Sequence, residues 1–253
     1  MKQYLILFLS LLLFSCSSDN DELTKEVTVK FNFTQNWDGT VIEKSDLSNT
    51  EYTNKLGTKL TIEKLRYLIS KITLTNGAGV ETIFEGYKLV DITESENLTF
   101  SPTEKISEGA YNLSMTFGFN NADNFKAGGY ADLNSASWDV PDTLGGGYHY
   151  MQLEGKFLNK NIQQQGFAYH TIGAYNSTTK EVEDTSFTVD LGTISIKNNA
   201  TIEVKMNVAE WFKNPNEWDL DVLNSMLMPN YDAQKLMSAN GKSGVFSLGN
   251  ISQ

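Results

Sequence analysis

Cysteine and histidine are scarce in this sequence of 253 residues, which holds one cysteine, Cys16, and two histidines, His149 and His170. A lone cysteine excludes a disulfide within the chain, zinc sites built on several thiolates, and a blue-copper centre in the body of the protein. Basic residues are also few, with 20 Lys and Arg against 31 Asp and Glu and a net charge of −11. Such an acidic surface repels phosphate backbones, so we expect no nucleic-acid partner.

Catalytic motifs are missing as well. The sequence has no Gly-x-Ser-x-Gly, no P-loop and no Gly-x-Gly-x-x-Gly beside a helix. Its carboxylates are scattered, without the spacing of a calcium loop or an identifiable glycosidase pair. Only four prolines occur, and no low-complexity run divides the chain. We therefore expect one domain over residues 26–253 that is not an enzyme.

The N-terminus reads as an export signal. Lys2 precedes a short apolar run, Tyr4–Phe14, which fits the apolar part of a signal peptide but falls short of the about 20 residues that span a bilayer. Leu13-Phe14-Ser15-Cys16 resembles the bacterial lipobox, although Phe14 is bulkier than usual there. This predicts a lipoprotein signal peptide over residues 1–15 and a membrane anchor through a lipid on Cys16.

The residues after Cys16 are polar and acidic, so we expect a flexible tether over residues 16–25. Ser17–Glu22 also resembles the acidic signal that sends some lipoproteins to the outer face of the outer membrane, whereas a plain solvated linker is the alternative. We expect an outer-membrane lipoprotein, on the periplasmic side or at the cell surface.

Short alternating segments separated by turn signals dominate residues 26–208. Glu26–Phe33 and Ala110–Phe119 alternate apolar and polar residues, which is typical of half-buried strands. The pattern predicts an all-β fold, an antiparallel β-sandwich, with a few short C-terminal helices. The further predicted strands are Lys59–Glu63, Leu65–Thr75, Val80–Phe84, Tyr87–Ile92, Tyr148–Phe157, Phe167–Tyr175, Asp184–Val189 and Ala200–Val208, and the predicted helices are Val208–Phe212, Asp219–Met226 and Asp232–Asn240 with Asp232 as N-cap.

The two histidines fall on two of these strands, on either side of a predicted hairpin loop, Asn159–Gly166. Pairing about that loop would bring His149 beside His170, because same-face cross-strand neighbours have Cβ atoms about 4.5–5.5 Å apart. Two imidazoles would suit copper. For either ring alone, a buried and hydrogen-bonded histidine without a metal is the alternative interpretation.

Two further side chains are candidates near His149. Met151 shares the face of His149 if the strand alternates regularly, and its thioether favours Cu(I); the alternative is a core residue. Trp138 lies in the polar, Gly-rich loop Asp132–Gly147 that leads into the His149 strand.

Several segments, in this order, resemble the MbnP-like copper-binding domain family, named for the methanobactin-associated protein MbnP. They are Val27–Phe33, Leu65–Leu74, Tyr87–Asp91, Gly109–Phe119, Gly147–Gly155, Phe167–His170 and Met226–Phe246. The resemblance implies a periplasmic or surface β-domain that binds copper, with His149 and His170 as ligands and Trp138 as a residue that a dihaem partner of the MauG type oxidises to kynurenine. Trp138 precedes Tyr148 by more than the family's pattern suggests.

These observations predict a non-catalytic copper-binding lipoprotein of the cell envelope. A MauG-type dihaem peroxidase or an outer-membrane transporter is the expected protein partner. The alternative is a metal-free surface module, in which Tyr148, Tyr150, Tyr169 and Tyr175 stack on a carbohydrate or pack on a protein. An enzyme that uses the surroundings of His149 is the third hypothesis.

Overall fold

The structure is a computed structural model that describes residues 24–94 and 98–253. Its strands, in chain order, are β1 (Glu26–Val27), β2 (Val29–Trp37), β3 (Thr40–Ile42), β4 (Glu51–Thr53), β5 (Lys59–Asn76), β6 (Glu81–Ile83), β7 (Tyr87–Asp91), β8 (Thr99–Phe100), β9 (Ile106–Ser107), β10 (Gly109–Phe117), β11 (Met151–Leu158), β12 (Gln164–Thr171), β13 (Ala174–Asn176), β14 (Glu181–Glu183), β15 (Phe187–Ile196), β16 (Ala200–Asn207) and β17 (Phe246–Ser252). The α-helices are α1 (Asn121–Asn124), α2 (Ala131–Ser135) and α3 (Tyr231–Gly241), and Lys44–Asp46, Asp142–Leu144 and Val208–Phe212 form 3₁₀ turns.

Two sheets face each other. The larger follows the order β12-β11-β5-β10-β15, with β4, β6 and β7 also paired to β5, and the smaller follows β17-β16-β2-β3, with β8 on β2. Two short pairs, β1-β9 and β13-β14, lie outside them. The predicted all-β sandwich with few helices is thus confirmed. One pairing departs from the antiparallel rule, because β16 runs parallel to β2.

Aromatic rings fill the space between the sheets. Phe33 meets Tyr67 edge-on at 6.4 Å between ring centroids, and Phe117 lies 5.6 Å from Phe246. The Tyr67 hydroxyl also accepts a hydrogen bond of 2.8 Å from Gln35 of the smaller sheet. We call the face of the larger sheet that meets the smaller sheet the inner face, and the opposite one the outer face.

The outer face is covered by the segment between β10 and β11. Leu68, Phe119, Leu133, Trp138 and Tyr148 form a second buried cluster there, separate from the main core. The sequence predicted residues 132–147 as a polar loop, but α2 begins this stretch, and Leu133, Trp138 and Val140 within it are buried. The larger sheet is therefore covered on both faces at this place.

Strand β5 is one continuous strand where the sequence predicted two. The register against β11 shifts between Glu154 and Gly155, so that Lys64 pairs with Glu154 and Ile62 with Gly155. This bulge breaks the regular alternation, which is what made the sequence read as two segments.

The C-terminal region differs from its prediction in three ways. No helix forms over Asp219–Met226; instead Asp219 Oδ1 accepts a hydrogen bond from the Asp221 backbone N–H at 2.8 Å, which closes a turn. The N-cap of α3 is Asn230 rather than Asp232, since Asn230 Oδ1 accepts from Ala233 N at 3.0 Å. The last strand, β17, was not predicted.

Candidate metal centre

His149 lies just before β11, at a point where the chain leaves the sheet. Its backbone N–H donates to the Trp138 carbonyl at 2.9 Å, and Val140 N donates to Gly147 O at 2.8 Å. The residues up to His149 thus pair with the covering segment, whereas Tyr150 returns to the larger sheet: its N–H donates to Thr171 O at 2.8 Å, and its carbonyl accepts from Leu68 N at 2.9 Å. The regular alternation of side chains between the two faces, which the sequence predicted through His149, is broken at this residue. The imidazole ring of His149 therefore lies on the outer face.

His170 reaches the same place from β12. Its partner across the ladder is Gln152 rather than His149. The two imidazole rings nevertheless meet, with centroids 5.3 Å apart and planes at 81°. The predicted juxtaposition of the rings is confirmed, whereas the predicted register is wrong, because His149 sits outside the regular strand.

His149 is buried and neutral near pH 7. Its side chain is 5% exposed, and this desolvation is the main reason that its pKa falls to about 4, with the charges of His170 and Arg66 acting in the same direction. Nδ1 lies 3.0 Å from the Trp138 carbonyl oxygen. Since a carbonyl only accepts, Nδ1 carries the proton, and the lone pair is on Nε2, which has no hydrogen-bond partner.

His170 is oriented by a carboxylate. Its Nε2 lies 2.9 Å from Glu154 Oε1, the oxygen that Lys64 Nζ also approaches at 2.9 Å. The hydrogen bond from His170 is the largest cause of the lowered pKa of Glu154, about 2, and Lys64 adds to it. Because Nε2 is engaged, the nitrogen left to His170 for a ligand is Nδ1.

Trp138 forms a wall beside His149. The indole is fully buried, and its ring centroid lies 5.6 Å from that of His149. The Arg66 guanidinium stacks on the indole, with Cζ 5.1 Å from the ring centroid. The indole Nε1 has no hydrogen-bond partner, which is uncommon for a buried donor.

Comparison with known proteins assigns the chain to a family. The family model MbnP matches residues 26–229, most of the sequence. The chain belongs to the MbnP family. The solved structure of MbnP from Methylosinus trichosporium has the same fold, with a TM-score of 0.55 and 14% identity over 89% of this chain and 99% of that one. No curated protein sequence matches the chain.

In this MbnP-family chain, Met151 is not brought to the two rings. It pairs across the ladder with Tyr67 and belongs to the main core on the inner face. Gln152 and His170, the next pair along, face outward. Met151 and His149 therefore lie on different faces, contrary to the prediction, since the break before β11 shifts the alternation by one residue.

Three residues of the MbnP-family site were not predicted: Glu154, Gln152 and Arg66. Glu154 and Gln152 were within reach of prediction, because both share the outer face with His170 once the register of the β11-β12 hairpin is known. Within residues 24–94 and 98–253, no group of three or more His, Cys, Asp or Glu side chains converges as a metal cluster. The two imidazoles are the candidate metal ligands that the described residues bring together here.

The tyrosines of the alternative hypothesis are mostly inaccessible. Tyr148, Tyr150 and Tyr169 are buried, so they cannot stack on a carbohydrate. Tyr175 is partly exposed, but Lys180 Nζ lies 6.0 Å from the centroid of its ring. The observation that motivated a carbohydrate-binding module is therefore reduced to one ring.

The predicted signal peptide and Cys16 lie outside the described residues, as does nearly all of the predicted tether. Among the helices of residues 24–94 and 98–253, none has the length and apolar character needed to cross a bilayer.

Proposed function

We propose that this MbnP-family protein is a non-catalytic copper-binding lipoprotein of the cell envelope, which holds copper between His149 Nε2 and His170 Nδ1. One observation carries the proposal: the rings lie 5.3 Å apart, and each has its other nitrogen engaged by an acceptor. Metal-binding histidines almost always donate their second N–H to a carbonyl or a carboxylate, which fixes the tautomer and the ring orientation.

The chemistry of the site favours copper over harder ions. Ca²⁺ and Mg²⁺ prefer sets of oxygen ligands, whereas imidazole suits copper in both oxidation states. The neutral state of His149 supports binding at pH 7, because a protonated imidazole has no lone pair for a metal. A buried indole on one side gives the site an apolar wall, which costs a monovalent ion less desolvation than a divalent one.

The test is copper titration of the mature protein and of two variants. Wild type is expected to bind one copper ion per chain, and His149→Ala combined with His170→Ala is expected to lose this binding. Met151→Leu, a volume-conserving change on the inner face, is expected to keep it. Undiminished affinity in the double histidine variant would reject the proposal.

Oxidation of Trp138 is a separable part of the proposal. Its support is the buried indole beside His149 with an unpartnered Nε1, together with the family resemblance. Kynurenine would appear as a mass gain on the Trp138 peptide of protein isolated from its native envelope. The same peptide at the unmodified mass would mean that the indole itself faces the copper.

The envelope assignment and the partners belong to the same proposal. We propose a lipid on Cys16, residence in the outer membrane on its periplasmic or external side, and a MauG-type dihaem peroxidase or an outer-membrane transporter as partner. The lipobox-like residues 13–16 support the first part. Cys16→Ser should abolish lipid labelling and release the protein from the membrane fraction, whereas persistent membrane attachment would contradict the anchor.

A further inference from the structure

A row of four side chains crosses the outer face of the larger sheet at the level of His170. His170 on β12 pairs with Gln152 on β11, Gln152 with Arg66 on β5, and Arg66 with Asp91 on β7. Cross-strand neighbours share a face, so the four side chains stand side by side beneath the covering segment. Arg66 is thereby placed two strands from His170.

The covering segment is held at three successive carbonyl groups. The donors are Arg66 Nη1 to Ala136 O at 3.2 Å, Gln152 Nε2 to Ser137 O at 3.4 Å, and His149 Nδ1 to Trp138 O at 3.0 Å. Ser137 has a φ of 55°, in the left-handed region that a non-glycine residue seldom adopts. The segment 136–138 is therefore held by these three side chains together with backbone hydrogen bonds such as Trp138 N to Leu133 O at 3.0 Å, and Trp138 is held with it.

Arg66 is the donor that also touches the indole. Its Nε forms an ion pair with Asp91 Oδ2 at 2.8 Å, and both side chains are largely buried, at 15% and 14% exposure. Its guanidinium lies over the Trp138 ring. A cation over an indole is attracted to the ring face, and more strongly where water is excluded. Arg66 is thus fixed by Asp91, by a backbone carbonyl and by the ring that it supports.

We propose that Arg66 is a positioning residue of the metal centre, which presses Trp138 against His149 and tilts the site toward Cu(I) over Cu(II) by its fixed positive charge. The inference rests on the proposed copper function. The repulsion between a fixed cation and a bound ion grows with the charge of the ion, so Arg66 disfavours Cu(II) more than Cu(I). Three carboxylates oppose this charge: Asp91, one strand further from the histidines, Asp139, whose charge acts on His149 in the opposite direction to that of Arg66, and Glu154, which contacts His170. The proposal therefore concerns the contribution of Arg66 itself, which its replacement removes.

The positioning role is tested on the copper-free protein. Acrylamide quenching of Trp138 is obtained as the difference between each chain and the same chain with Trp138→Phe. Arg66→Gln and Arg66→Lys are both expected to raise the quenching of Trp138, because neither provides the planar fork that joins Asp91, Ala136 O and the ring. The control Lys59→Gln removes a cation from the same strand, at an exposed ion pair with Glu51, and is expected to change nothing.

The charge role is tested by the ratio of the Cu(II) and Cu(I) dissociation constants, measured against chelators for each oxidation state. Arg66→Gln is expected to lower this ratio about tenfold, which means relatively tighter binding of Cu(II). A tenfold change is the order expected for a nearby unit charge at an effective dielectric constant of about 20. Arg66→Lys keeps the charge and is expected to stay within a factor of about three of wild type, and Lys59→Gln to match wild type.

Wild-type quenching and a wild-type ratio in Arg66→Gln would overturn the inference. An equal change of the ratio in Arg66→Gln and Arg66→Lys would overturn the charge role, because it would show loosened packing alone. If wild type binds no copper, the proposed function fails, whereas the quenching measurement still decides whether Arg66 positions Trp138. Thermal unfolding of each variant verifies that the compared proteins are folded.

Discussion

The inner and outer faces of the larger sheet are made by alternate residues of the same strands, yet they serve different purposes. In the main aromatic core on the inner face, Tyr67 and Phe117 are buried against the smaller sheet, and Tyr169 is buried against the segment that follows β16. On the outer face, His170 and Glu154 lie beside a segment that is held both by the second buried cluster and by hydrogen bonds from side chains such as Arg66 and Gln152. The inner face therefore carries the larger apolar core, whereas the outer face combines a smaller apolar cluster with the polar side chains of the site.

The largest effect on stability is expected from the removal of a buried ring on the inner face. Phe117→Ala should lower the free energy of unfolding by about 3–5 kcal/mol, because a buried ring against Phe187 and Trp211 is replaced by a cavity. Urea denaturation measures the loss. Copper affinity of the protein that remains folded should stay at the wild-type level, and a parallel loss of affinity would mean that the faces are not independent.

The second effect is the pH dependence that His149 gives to the stability of the copper-free protein. Its pKa is about 4 in the folded protein, against an ordinary value of 6.5, so the unfolded chain takes up a proton first as the pH falls. The contribution of the neutral His149 ring to the free energy of unfolding is fully present above about pH 6.5. It is lost between about pH 6.5 and pH 4, by on the order of 3 kcal/mol. Urea midpoints across this range should fall in wild type, whereas His149→Gln should show a flatter profile. Identical profiles would contradict the buried neutral ring.

A third test removes the carboxylate that orients His170. Glu154→Gln should weaken copper binding by about 10–100-fold, the range for partners of metal-bound histidines. The matched control is Glu63→Gln, which loses an exposed ion pair with Lys156 on the same sheet and should leave the affinity unchanged. Equal affinities for the two variants would show that Glu154 does not orient the ring.

The smallest effect concerns the strain in the covering segment. Ser137→Gly should stabilise the protein by up to about 1 kcal/mol, because glycine adopts a positive φ without the steric cost that serine bears, less its own entropy loss. Ser135→Gly, at the end of α2, should instead destabilise by up to about 1 kcal/mol. Thermal unfolding distinguishes the two signs, and destabilisation by Ser137→Gly would argue against strain.

The sequence predicted the sandwich because alternation is a local signal, and it predicted that the two histidines meet because a short loop joins their strands. It did not predict that Met151 would lie on the other face. That error has a physical origin: pairing of His149 with the covering segment interrupts the strand just before β11, and no local pattern marks the interruption.

The rest of the site depends on long-range register. Arg66 reaches Trp138 because the register of β5 against β11 places it opposite Gln152. That register, which shifts at a bulge between Glu154 and Gly155, leaves a weak trace in the sequence. Leu133 and Trp138 of the second buried cluster were likewise hidden, because they lie among glycines and polar residues that read as a loop.

The parallel pairing of β2 with β16 has a consequence for how the chain reaches its folded state. Val29, near the start of the described chain, lies in register with Ala200, which follows it by 171 residues. The smaller sheet, and hence the cover of the inner aromatic core, cannot close until most of the polypeptide has emerged. Such distant partners slow folding, and a chain shortened before residue 200 should aggregate through the unpaired edge of β2.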